Sequence, residues 1–453
     1  MASLLGCPDD LLHSILSCLS RADLGTICRV HRHLRFLAEP YLYANVRFTW
    51  EESLPHPITS LLRSTLRRPQ LAAYIRTVSL IGASFFKPHY RGTVPNIPVS
   101  ESEMAELMAF VTETRVSYRE AWLEELRNGT MDAFVAVLLS QPLRLTSLVI
   151  GADFFKESRL VGSVLRSTLF DKSRDCGLRL DFENLKTVSL ERYTDPSQDR
   201  RTRNTADVLP LFYLPSVQHI SASIDNPVGP FTWPALDPPS PSSLHSLKLT
   251  SIREPFLSPL LLVTDQLQTF HWEWYYDPNL RDQVHTDVID LTRFTTALSH
   301  VRNTLTELVV VAECNIADMD YPLVQIRGSL NAIKDLDKLT KFTAPVTLLM
   351  GFSVTDTATE RLEDALPPSL EFLTLTDDLC LNEQYLWEDH QIFSVLQRWL
   401  GRYQASTPYL RGIALFLRDT DDNWKQPIRD ELRGLCKRVG IRLEVTKLLP
   451  DMY

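Results

Sequence analysis

The sequence predicts an α/β protein: a small N-terminal three-helix module, followed by a curved array of repeated strands and helices around a parallel β-sheet. Three observations carry this expectation. The first fifty residues hold three apolar stripes at helical spacing. From Ile75 onward a short strand-like pattern returns ten times. Leu occurs 72 times in 453 residues while Gly occurs 15 times, which favours repeated apolar packing over glycine-rich phosphate loops. The boundaries read as a helical module over 1–48, a helical linker over 49–74 and the repeat array over 75–453, with a proline-rich loop at 226–243.

Each element of the module has a local cause. Pro8-Asp9-Asp10 opens the first helix, because Pro suits a first turn and acids suit the positive end of the helix dipole. Leu11, Leu12, Ile15, Leu16 and Leu19 follow at helical spacing. Ser20-Arg21-Ala22-Asp23 starts a second helix as a capping box, and that helix carries Leu24, Ile27, Cys28 and Val30. A third holds Leu34, Leu37 and Ala38 and is expected to end before Pro40. The stripe of Leu11, Leu12, Ile15 and Leu16 is wider than so small a core needs.

These residues resemble an F-box. The resemblance rests on Cys7-Pro8-Asp9-Asp10-Leu11-Leu12, Ile15-Leu16, Leu19, Arg21-Ala22-Asp23-Leu24 and Arg29-Val30-His31-Arg32. Cys7 stands where the family prefers Leu, and Leu34 stands near where many members carry Trp. The resemblance implies helix-in-groove docking onto the Skp-type adaptor of a cullin-RING ubiquitin ligase. Carried over, the adaptor-binding anchors are Pro8, Leu11, Leu12, Ile15, Leu16, Leu24 and Val30. Some of these must fill the module's own core, and the sequence does not divide them.

The repeated pattern is apolar, two residues, apolar, one residue, apolar. It begins with Ile75-Val78-Leu80, Leu145-Leu148-Ile150, Leu185-Val188-Leu190, Val217-Ile220-Ala222 and Leu244-Leu247-Leu249. It continues with Leu267-Phe270-Trp272, Leu305-Leu308-Val310, Leu339-Phe342-Ala344, Leu370-Leu373-Leu375 and Leu410-Ile413-Leu415. Ile441-Leu443-Val445 alternates as a final strand. The pattern is the strand part of a leucine-rich repeat, whose strands bury their apolar side only by stacking on neighbours. Most copies lack the usual following Asn or Cys, and their spacing is irregular. The array resembles the irregular leucine-rich solenoids of fungal F-box proteins, as does the stretch from Leu61-Leu62-Arg63 through Leu66-Arg67-Arg68-Pro69-Gln70-Leu71.

Stacked repeats align the residues between the apolar positions. One expected row is Ser147, Ser189, Ser221, Lys248, His271, Val309, Thr343, Thr374 and Ala414; the next is Glu191, Ser223, Thr250, Glu273, Val311 and Thr376. A target protein is expected on this inner face, at Glu191, Lys248, His271, Glu273, Tyr275 and Thr374. Charge is uneven as well. Six basic residues and no acid lie in 53–100, whereas 353–397 holds ten acids against the single Arg361. An acidic patch there could steer a basic partner.

Several classes are excluded or disfavoured. A net charge of −9 disfavours nucleic-acid binding, which needs a basic face. No apolar run reaches membrane-spanning length, and the N-terminus lacks a secretory signal. The seven cysteines are odd in number and widely spaced, with no CxxC, so reduced thiols in the cytoplasm or nucleus fit. Asn128-Gly129-Thr130 reads as a turn between helices. Cys28, His31 and His33 match no zinc-module spacing. No nucleotide, hydrolase or metalloprotease motif occurs. With no catalytic, cofactor or metal motif found, the F-box resemblance implies a non-catalytic function: a substrate receptor of an SCF-type E3 ubiquitin ligase, with a scaffold that transfers no ubiquitin as the alternative.

Overall fold

The computed structural model describes residues 4–50, 56–82, 96–154, 159–171, 178, 182–190, 204–278, 284–314, 323–354, 362–417 and 424–447. They form two compact units. The first holds the described residues of 4–190, 204–222 and 233–243; the second holds those of 223–232 and 244–447.

In the first unit, α1 (Asp9–Ser17), α2 (Arg21–Val30) and α3 (Arg32–Ala44) form the N-terminal module. The Ser20 hydroxyl accepts the Asp23 amide and caps α2. α3 does not stop before Pro40 but runs through it to Ala44. The proline removes the amide that would bond the Phe36 carbonyl. Leu37 and Ala38 in the core and the packed Tyr41 and Leu42 hold the helix together across it.

Five parallel strands follow in chain order: β1 (Asn45–Trp50), β2 (Thr77–Gly82), β3 (Ser147–Ile150), β4 (Thr187–Leu190) and β5 (His219–Ser223). Their register stacks apolar residues in layers. Val46, Val78, Leu148, Val188 and Ile220 form one row, and Phe48, Leu80, Ile150, Leu190 and Ala222 the next. All ten are buried. α4 (Ile58–Arg67) lies between β1 and β2, α5 (Glu101–Thr114), α6 (Arg119–Arg127) and α7 (Met131–Leu139) lie between β2 and β3, and α8 (Arg159–Phe170) follows β3. Every residue of α7 except Asp132 is buried, as a helix apolar all round requires. Asp132 caps α8 by accepting the Leu160 and Val161 amides. The Asn128–Thr130 stretch is the expected turn: Gly129 has φ +71°, and a Cβ there would stand 2.9 Å from the Ile97 carbonyl.

In the second unit the parallel order is β6 (Ser246–Thr250), β7 (Thr269–Tyr276), β9 (Glu307–Cys314), β11 (Lys341–Pro345), β12 (Phe372–Thr376), β13 (Gly412–Leu417) and β14 (Arg442–Lys447). Among the described residues, β8 (Val288–Asp290) and β10 (Gln325–Arg327) pair separately. Leu247, Phe270, Leu308, Phe342, Leu373, Ile413 and Leu443 share one register.

All ten copies of the sequence pattern end on a strand, and Leu443 and Val445 of the final alternating run lie on β14, with Ile441 just before it. β1, which straddles the boundary expected at residue 48, was not expected, nor was the β8–β10 pair. The proline-rich stretch 226–243 carries no helix or strand. Its 233–243 part is nonetheless anchored within the first unit, where Trp233 packs edge-on against Phe212 and Tyr213, and the Tyr213 hydroxyl donates to the Asp237 carbonyl at 2.8 Å.

Candidate functional site

The structure divides the seven anchor residues into two groups. Leu12, Leu16 and Leu24 are buried with Cys28, Leu34, Leu37 and Ala38 in the module's own core. Leu12 and Leu16 stand one helical turn apart, so they share a face of α1. Pro8, Leu11, Ile15 and Val30 are exposed. Pro8, Leu11 and Ile15 recur at intervals of three and four residues, along a strip beside the core-facing one. Leu11 is 55% exposed and Val30 69%.

Two further exposed apolar residues belong with this group and were missed by the sequence reading: Leu5, and Phe36 at 69% exposure. Phe36 was detectable, because it falls off the Leu34, Leu37, Ala38 and Tyr41 stripe of α3. A single exposed Leu means little. The module thus leaves six apolar residues exposed although its core is filled by others.

Polar contacts fix the helices that carry this surface. The Asp9 carboxylate accepts from His33 Nε2 at 2.9 Å, and His13 Nδ1 lies 3.2 Å from the Tyr41 hydroxyl. Arg35 Nε donates to the Cys28 carbonyl at 2.7 Å. Arg68, just after α4, makes a two-pronged bond to Glu39 of α3, both contacts at 2.7 Å. Cys28 belongs to the core, and burial followed by the Glu39 charge raises its thiol pKa. Among the described residues, no group of three or more His, Cys, Asp or Glu side chains is placed to hold a metal.

The expected target face is partly covered. Lys248, His271, Val309, Thr343, Thr374 and Ala414 share one register across β6, β7, β9, β11, β12 and β13, and Thr250, Glu273 and Val311 share another. Lys248, His271, Glu273, Tyr275 and Thr374 are half-buried. Glu191 lies outside the described residues. Ser147 is not in the first row: Val149 stands opposite Ser189, and Ser147 opposite Thr187, so that reading was one pair too early along β3. In the second row Ser223, Val311 and Thr376 are buried. There the segments after β11 and β12 tie to the end of β9: Asp378 accepts the Ala312 amide, and the Thr347 hydroxyl donates to the Asp378 carbonyl. Burial, helped by Lys248, lowers the His271 pKa to about 4, so the ring is neutral at pH 7. The Tyr275 hydroxyl donates to buried Asp277 at 3.5 Å.

Beneath this face Trp272 and Trp274 are fully buried. Trp272 stacks on Phe294 at 4.6 Å, and Arg253 lies 4.5 Å over Trp274. Arg253 and Glu254 form a buried ion pair that sequence reading missed. Arg253 Nη2 donates to the Thr286 and Val288 carbonyls, and Glu254 Oε1 accepts the Asp290 amide. Every contact of this network is internal, which makes it structural.

The helical surface and its core resolve the comparison with known proteins. Residues 7–49 match the F-box-like family model. The match spans α1 to α3 and most of β1. F-box domains typically bind Skp-type adaptors. No curated protein matches the chain. Among the described residues, no helix is long and apolar enough to cross a membrane.

Proposed function

We propose that the chain is the substrate-recognition subunit of an SCF-type E3 ubiquitin ligase, non-catalytic itself, acting in the cytoplasm or nucleus. The observation that carries this reading is the exposed strip of Pro8, Leu11 and Ile15, with Val30 and Phe36 also exposed, on a module whose core is filled by other residues. The strip docks the Skp-type adaptor, and through it a cullin. The ten strand repeats are read as irregular leucine-rich repeats, resembling those of fungal F-box proteins, and they hold the target. Ubiquitin transfer then follows from proximity to a charged E2 rather than from chemistry of this chain.

Leu11→Asp with Ile15→Asp is the test. Each places a charge where the adaptor would desolvate it, at a cost of several kcal/mol to binding. Adaptor co-purification should be lost while the melting temperature stays within a degree or two of wild type. Retained adaptor would overturn the docking surface. Adaptor recovery with no ubiquitin transfer to any co-purified protein in a reconstituted cullin complex would leave a scaffold.

A further inference from the structure

Three loops beyond the carboxyl ends of the adjacent parallel strands β9, β11 and β12 carry four outward apolar side chains. Leu323, Val354, Leu381 and Leu386 are between 42% and 67% exposed. The loops are fixed to one another. The Leu386 amide donates to the Phe352 carbonyl at 2.8 Å, Trp387 Nε1 to the Gly351 carbonyl at 3.0 Å, and Asn382 Nδ2 to the Val324 carbonyl at 3.4 Å. Leu386 and Val354 therefore flank one cross-loop bond, and Leu323 and Leu381 flank another. Val324, Phe352, Leu379 and Trp387 from the same loops are buried. Leu379 holds φ +64°, a region that costs a Leu of order 1 kcal/mol. The loops thus have their own anchors, and the four exposed residues are not needed for the core.

The segment that supplies two of the loops is predominantly acidic. Residues 362–397 contain eight acids and no Lys or Arg. Asp377 and Asp378 are buried, Glu371 pairs with Arg411, and Asp389 accepts the Trp424 amide. Asp364, Glu383 and Glu388 remain exposed. Glu383 lies between Leu381 and Leu386 in the same loop, and Glu388, with His390 at 3.1 Å, follows directly. Arg327, on the strand that follows Leu323, is drawn toward Asp290 at 3.9 Å.

We propose that this loop surface docks a short segment of a partner protein in which apolar side chains alternate with Lys or Arg. The apolar residues supply desolvation and the carboxylates supply selection and encounter rate. A second copy of the same acidic surface, or an anionic lipid headgroup, would be repelled. This proposal rests on the receptor reading above, and it places target engagement on the loops rather than on the half-buried strand rows.

The test uses the full chain and short fluorescein-labelled peptides of alternating Lys and Leu, with Glu–Leu peptides of equal length as the comparison, read by fluorescence anisotropy. The Lys–Leu peptide should bind and the Glu–Leu peptide should not, and added salt should weaken binding. Val354→Ser with Leu386→Ser should reduce affinity about tenfold or more, and Glu383→Lys with Glu388→Lys should do the same. Equal binding of both peptides, or unchanged affinity in either pair of variants, overturns the proposal. Leu11→Asp with Ile15→Asp should leave peptide binding intact while losing adaptor, which keeps failure of the loop surface distinct from failure of the receptor reading.

Discussion

The F-box-like module and the strand array of the second unit spend similar residues in opposite ways. In the module, Leu12, Leu16 and Leu24 face a small core while Leu11, Ile15, Val30 and Phe36 face out. On β7, Phe270, Trp272 and Trp274 are all fully buried, and the alternate residues His271, Glu273 and Tyr275 are polar or amphipathic. A helix spreads a wide apolar stripe over neighbouring faces, so it can serve a core and a partner from adjacent positions. A strand has only two faces, and its inner face is used up by packing. The difference teaches that exposed Leu on the helices is informative about function, whereas apolar residues on the strands are not.

The sharpest way to break this comparison is to exchange neighbours on α1. Leu12→Asp should unfold the module, because it buries an unpaired charge in a core of few residues, at several kcal/mol. Leu11→Asp, one position away, should change stability by no more than about 0.5 kcal/mol. Circular dichroism melts of the two variants decide this; equal melts would mean that the core and the docking strip are not separate.

The next effect lies in the buried polar network of the second unit. Arg253→Met removes the cation over Trp274 and leaves Glu254 in a site where burial already raises its pKa. The expected loss is about 3–5 kcal/mol. Adding Glu254→Gln should restore part of it, because the uncompensated charge is then gone. Denaturant titration of the single and double variants measures the difference, and a double variant no better than the single would assign the loss to packing on Trp274.

Acid should loosen both units through histidines held neutral. Burial lowers the pKa of His56 and of His271 to about 4. His56 is enclosed by Phe48, Trp50 and Phe154, and its Nδ1 accepts the Ile58 amide. In the unfolded chain each ring takes up its proton near the ordinary histidine pKa of about 6.5. Between those values the unfolded state binds more protons, so stability falls as pH drops from about 6.5 to 4, by up to ~3 kcal/mol per histidine. Asp207 acts the other way: burial raises its pKa to about 7 despite Arg166 at 2.9 Å, so its contribution is present at low pH and lost as pH rises toward 7. His56→Phe should flatten the acid limb of the stability profile, and Asp207→Asn should steepen it. An unchanged limb in His56→Phe would show that His56 is not held neutral.

Much of this arrangement was legible in the sequence, for identifiable reasons. Each apolar-x-x-apolar-x-apolar copy ends on a strand because parallel strands with a packed inner face need that alternation. β1 escaped because Val46, Phe48 and Trp50, which alternate just as clearly, follow directly on a helix that Pro40 was expected to end. The docking strip was legible only as a surplus: Leu11, Leu12, Ile15 and Leu16 have the same chemistry, and only the packing of α1 on α3 separates them. The loop surface was half legible. Its acids form one segment of sequence, but Leu323, Val354 and Leu386 meet only through cross-loop hydrogen bonds that no local pattern announces.

The smallest effect expected tests the strand face itself. Lys248 stands opposite His271 across β6 and β7 and is the second cause, after burial, of the low His271 pKa. Lys248→Glu replaces a like charge with an attractive one, so it should raise the His271 pKa while burial keeps it below the ordinary value. Stability near neutral pH should hardly move, since both positions are half-buried and the ring stays neutral there. Imidazole proton shifts followed by NMR titration report the change directly. Pairing the substitution with Glu273→Lys should return part of the shift, because a cation is restored two residues along β7. The same double variant reads function: if the loop surface carries the target, exchanging these two charges leaves target binding intact, whereas a loss of target with adaptor binding and melting temperature unchanged would move the site back onto the Lys248–His271 row.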